Sequence, residues 1–87
     1  MSRPIDEQTK QVEGKILLAA RKNLGLTQQQ AADKAQISIR HYQMFESGER
    51  KLSTSTFRTA SKVLEALDLD LGSFARGEYA GLVETDV

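Results

Sequence analysis

The chain has 87 residues, with 12 Lys/Arg, 12 Asp/Glu, one histidine and no cysteine. That length supports one domain, whose core must be compact or shared with a second chain. The missing cysteines exclude a disulfide scaffold, a thiolate metal site and a thiol nucleophile, and the single His41 excludes an all-histidine zinc site, so neither metal nor cofactor is expected.

The zero net charge conceals a division. Residues 1–64 hold eleven Lys/Arg and six Asp/Glu, a balance of +5; residues 65–87 hold one and six, a balance of −5. A basic body with an acidic tail can steer association with an anion. No apolar run approaches the roughly 18 residues that a membrane span requires. The stretch Met1-Ser2-Arg3-Pro4-Ile5-Asp6-Glu7 has no apolar core of a secretory leader, so no membrane association and a cytoplasmic location are the expectations.

Strand signals are nearly absent, and the periodicity predicts an all-α domain. The first helix is predicted to start near Pro4 to Asp6 and to run to about Leu24. Ile5, Val12, Ile16, Leu17, Ala20 and Leu24 form its apolar face. Gly14 is a weak point that could separate an arm from the packed helix, so residues 1–11 are either an arm or the start of this helix. Gly25 ends the helix in a left-handed conformation. The second helix follows Thr27, which with Gln30 matches a capping box, and extends to about Ala35. The third follows Ser38 and extends to about Ser47, before Gly48. Tyr42 and Phe45 are three apart and point to the core, so Ile39, Arg40, Gln43 and Met44 face outward. The fourth is predicted to start within Ser53–Thr56 and to reach Leu67, with Phe57, Ala60, Leu64 and Leu67 inward. Asp70 caps a short fifth helix that turns Leu71 and Phe74 inward. Residues 12–75 thus form the domain, and 76–87 an acidic tail from which Tyr79, Leu82 and Val83 could dock.

Two short helices with a three-residue gap, at about residues 28–47, have the layout of a helix-turn-helix. Arg21-x-x-x-Gly25-Leu26-Thr27-Gln28, then Ala32, Ser38 and Glu46-x-Gly48, resembles the Cro and phage-repressor family over roughly residues 12–74. The resemblance implies a compact five-helix bundle of the lambda-repressor type that binds double-stranded DNA. It also implies a structural ion pair between Arg21 and Glu46, base contacts from Ile39, Arg40, Gln43 and Met44, and phosphate contacts from Gln28, His41, Ser47, Arg50 and Lys51. Lys22 and Lys34 could extend the phosphate-binding rim. Departures are visible. Gln36 stands where the family usually has the turn glycine, Ala31 and Ala35 replace common leucines, and Ile39 and Met44 are apolar where family members are usually polar.

The functional expectation is a sequence-specific transcriptional regulator that reads the major groove with the third helix as a homodimer. Leu69, Leu71, Phe74, Tyr79 and Leu82 are its candidate dimer contacts. The alternative is an antitoxin or other protein-interaction module, with its acidic tail or third-helix face on a partner protein. No enzyme is expected, because the sequence carries no nucleophile, phosphate loop or His-carboxylate cluster.

Overall fold

The computed structural model describes the backbone of residues 5–83 and the side chains of residues 12–83. Expectations for Pro4, for the side chains of Ile5, Asp6 and Glu7, and for the acidic end at Glu84 and Asp86 lie outside the described residues. Five α-helices follow one another: α1 (Ile5–Asn23), α2 (Gln28–Ala35), α3 (Ile39–Ser47), α4 (Phe57–Ala66) and α5 (Leu71–Ala75). Short 3-10 turns occupy Leu52–Thr54 and Ala80–Leu82. There is no strand among the described residues, and the fold is the all-α five-helix bundle expected.

Local chemistry sets the helix boundaries. The capping box is complete: Gln30 N–H donates to Thr27 Oγ1 at 3.0 Å, and Thr27 N–H donates to Gln30 Oε1 at 2.8 Å. Ser38 accepts from His41 N–H, Thr56 from Thr59 N–H and Asp70 from Ser73 N–H, so α3, α4 and α5 each start on a side-chain cap. Gly25 and Gly48 take positive φ after α1 and α3, as expected. Gln36, with φ 61° and ψ 40°, adopts the same left-handed conformation without a glycine's freedom. Its N–H reaches Ala32 and Asp33 carbonyls, and Ile37 N–H also donates to Ala32 O, so this turn closes α2.

The core lies where α2 meets α3 and α4, and α1 crosses α3. Tyr42, Phe45, Leu17, Leu52, Val63, Leu64 and Leu67 are fully buried. Ala31, Ala32 and Ala35 are buried in the same cluster as Tyr42 and Phe45. Three small residues on α2 and two large ones on α3 thus share one buried cluster.

Four expectations are corrected. Gly14 does not break α1, which runs unbroken from Ile5 to Asn23. It is instead the place where α1 meets the end of α3: a Cβ there would overlap the Glu46 carbonyl oxygen and stand 3.1 Å from that of Phe45. Val12 and Leu24 are exposed rather than core. Glu13 and Gly14 occupy the inner face beside Leu17, and Leu24 lies beyond the last residue of the helix. Phe57 is 73% exposed. It opens α4 about 60° around the axis from buried Ala60, with no preceding helical turn to cover it, while Leu52 of the 3-10 turn fills the core. Within the tail, Ala80–Leu82 packs on α1, and Tyr79 Oη accepts from Asp70 N–H at 2.7 Å.

Two substitutions test these local readings by thermal unfolding. Gly14→Ala is expected to cost about 1–3 kcal/mol through overpacking against the α3 carbonyls. Exposed Lys15→Ala next to it should stay within about 0.5 kcal/mol of wild type. Gln36→Gly is expected to stabilise the fold by roughly 1 kcal/mol by relieving the left-handed strain; a lower melting temperature would contradict that account.

Candidate nucleic-acid interface

The outer surface of α3 is positioned from beneath by one carboxylate. Glu46 sits in the last turn of α3, one helical turn beyond Tyr42. Arg21 Nε donates to Glu46 Oε2 at 2.6 Å and Arg21 Nη2 to Oε1 at 3.2 Å, a two-point fork. Arg21 Nη1 donates to the Leu26 carbonyl at 2.8 Å, which ties the α1–α2 connection to the same guanidinium. Tyr42 Oη donates to Oε2 at 2.6 Å and Gln28 Nε2 to Oε1 at 2.8 Å. The Arg21 and Glu46 side chains are only 13% and 6% exposed, so the expected ion pair is present and nearly dry.

Burial raises the proton affinity of Glu46, but the donors oppose it. The Arg21, Tyr42 and Gln28 hydrogen bonds outweigh desolvation and hold the carboxyl below its ordinary value. Burial first, then the neighbouring carboxylate, pushes the Tyr42 phenol well above its ordinary range, so it remains a donor. The Glu46 hydrogen bond likewise raises Arg21, which stays charged.

The network continues to the surface. Gln43 Nε2 donates to Gln28 Oε1 at 3.0 Å. A carboxylate can only accept, so Gln28 must turn its NH2 toward Glu46 and its oxygen toward Gln43. Gln43 is then obliged to donate to Gln28. This leaves its own Oε1 and one N–H outside the chain of bonds.

The residues expected at the interface differ in how much of each side chain is presented. Arg40 and Gln43 are exposed on the outer side of α3, and Met44 is half-buried beside them. Ile39 is half-buried against the core and presents only part of its side chain. His41 is half-buried, with its ring stacked 5.0 Å from that of Phe45. Ser47 is exposed, but its hydroxyl donates to Met44 O and accepts from Glu49 N–H, which closes the end of α3. Gln28 is half-buried within the Glu46 network, next to α3. Exposed Arg50 and half-buried Lys51 follow α3, where they flank a shallow depression with Phe45, Glu49, Thr54 and Ser55. Lys22 instead lines a groove with Lys15, Leu18, Ala19, Leu82 and Val83, beside the C-terminal 3-10 turn.

Glu13 was not singled out from the sequence. It is buried, and its Oε1 accepts from Ser53 N–H at 3.2 Å, which holds the turn after Lys51 against α1. Its one signal was position: it lies one turn before Leu17, a charged residue in an apolar stripe.

A short helix seated on α1 and α2, with an exposed arginine and amide on its outer face, defines a helix-turn-helix DNA-binding domain. The helix-turn-helix family model matches residues 17–74, more than half of the chain, and the chain belongs to that family, of the Cro/C1 type. Comparison with curated proteins and with solved structures gives no match. Membership makes the chain a DNA-binding regulator of transcription in a family defined by binding rather than by catalysis. No helix among the described residues is long and apolar enough to cross a membrane, and no group of metal-binding side chains occurs among them.

The acid limb of stability tests the Glu46 network. Its folded-state pKa is depressed, so its contribution is complete above the ordinary value of 4.5 and is lost as pH falls through the lower folded value. Glu46→Gln is expected to cost roughly 3 kcal/mol at neutral pH, because Arg21 is left without a counter-charge. The variant should also lose part of the stability decline below pH 4.5, read by urea unfolding at several pH values. An unchanged acid limb would place the pair in solvent.

Proposed function

We propose that this protein reads a specific duplex sequence with α3, as a homodimer on a two-fold-related site in the cytoplasm. The observation that carries the reading is the Glu46–Gln28–Gln43 chain, because it sets the polarity of one exposed amide. With one Nε2 hydrogen on Gln28, Gln43 retains Oε1 to accept from adenine N6 and a second hydrogen for adenine N7. Arg40, exposed one turn earlier, has the fork that recognises guanine O6 and N7. Met44 and the exposed part of Ile39 offer apolar contact to thymine methyls. Arg50 and Lys51 supply phosphate contacts beyond the end of α3, with His41, Ser47 and Gln28 at its margin. For Gln28 and Ser47 the internal bonds limit this role to whatever donor or lone pair remains. One such helix covers few base pairs, so two copies on a palindrome supply the missing specificity.

Selection from random duplexes, followed by anisotropy titration at several salt concentrations, tests the reading. Arg40→Ala is expected to weaken binding to the selected site by about 1–3 kcal/mol and to relax one base position, with unchanged thermal stability. Lys51→Ala should weaken all duplexes alike and reduce the salt slope by about 1. A protein-interaction module on the same fold predicts the opposite result: no measurable DNA affinity even at low salt.

A further inference from the structure

We propose that the outer face of α4 is where two copies of this chain pair, with Phe57 of each copy seated in a groove at the far end of the other's α4. The inference rests on the homodimer reading above and names its surface.

Phe57 is the knob. Its ring is 73% exposed at the first position of α4, the largest exposure among the large hydrophobic side chains described. The cost of leaving an aromatic in water is removed if a partner covers it. The socket lies on the same side of the same helix. Ser61, Leu64, Glu65, Leu69, Asp70 and Leu71 line an open groove of about 250 Å³. A cavity of roughly 150 Å³ already accommodates a benzene ring, so a phenylalanine side chain fits.

Knob and socket are arranged for self-pairing. Phe57, Ser61 and Glu65 recur every four residues and share one stripe of α4. Phe57 and Glu65 are about 12 Å apart along the axis, with Ser61 midway. A two-fold axis through Ser61 runs the two α4 helices antiparallel and puts each Phe57 beside the other copy's Glu65, Leu64 and Leu69. Ser61 is small, so the helices can approach where they cross. Charge supports the same register. Exposed Arg58 flanks the knob, and exposed Glu65 and Asp70 flank the socket. Each basic edge then faces an acidic edge, twice, as a self-complementary two-fold contact requires.

The contact is small. Two phenylalanines bury a few hundred Å², well under the ~1,600 Å² of a standard interface. Pairing is therefore weak in solution and is completed when two half-sites hold the copies at high effective concentration.

The test uses the full chain, sedimentation without DNA, and titration on palindromic and single half-site duplexes. Wild type is expected to show a concentration-dependent monomer–dimer equilibrium. Phe57→Ser should sediment as a monomer with unchanged circular dichroism and lose at least tenfold in affinity for the palindrome, while half-site affinity stays within about twofold. Arg58→Glu and Glu65→Arg should each weaken pairing, and the double variant should restore it. Equal pairing by wild type and Phe57→Ser would overturn the proposal. So would a wild type that remains monomeric both in solution and on the palindrome, or no rescue by the charge swap. Loss of half-site affinity in Phe57→Ser would also overturn it, by placing the ring in the DNA contact. Pairing that depends on Phe57 in a chain without DNA affinity would sustain this surface and refute the DNA reading instead.

Discussion

The Glu46 carboxylate is the point where three helices are held to one another. Arg21 brings α1, Gln28 brings α2, and Tyr42 with Glu46 itself fixes the second half of α3. Placing that charge in a nearly dry site has a desolvation cost of several kcal/mol. Four donated hydrogen bonds, two of them from a guanidinium, offset the cost. Apolar groups of the same size could pack as well, but they would not fix which way an amide points. In this fold the directional consequence extends outward, because the acceptor-only carboxylate orients Gln28 and Gln28 orients Gln43. The same bonds that join the helices therefore set the chemistry of the exposed surface.

What could be read from the sequence follows the range of the forces involved. Thr27 with Gln30, Ser38, Gly25 and Gly48 act on backbone groups within four residues, so their roles are visible as local patterns. Tyr42 and Phe45 are legible because spacing alone turns them inward. Arg21 and Glu46 are 25 residues apart, and nothing local joins them; the family resemblance supplied that pair. Gly14 and Glu13 were misread or missed because their meaning lies in a crossing partner. A glycine within a helix reads as weakness until the Glu46 and Phe45 carbonyls are found against it. Phe57 fits an apolar stripe by spacing, yet it stands at the helix start, where Leu52 has already taken the interior. Gln43 was legible as an exposed amide, but its polarity was not, since that depends on a bond to a residue 15 positions away.

Charge explains the approach to DNA better than the choice of site. The outer side of α3 carries one exposed arginine, and further cations lie beyond it at Arg50 and Lys51. If α3 reads the duplex as proposed, most salt-dependent affinity comes from the flanking loop. On the reading proposed above, discrimination is left to the geometry of Arg40 and Gln43. Glu13 matters for this division because its bond to Ser53 N–H anchors the loop to α1, independently of the network that orients α3. Two separate ties to one helix thus fix the loop of Arg50 and Lys51 relative to the second half of α3.

The two ends of α3 are not held equally. Its second half is fixed by the Glu46 bonds and by the close crossing at Gly14, where there is no space for a methyl group. Its first half follows a left-handed Gln36, a conformation that disfavours a residue with a Cβ, and opens on Ile39, only half-buried. Strain on the order of 1 kcal/mol is therefore stored in the turn that leads to Arg40. Arg40 and Gln43 consequently differ in preorganisation although they are three residues apart. The Gln43 amide is held by its bond to Gln28, and the network that orients it does not reach Arg40.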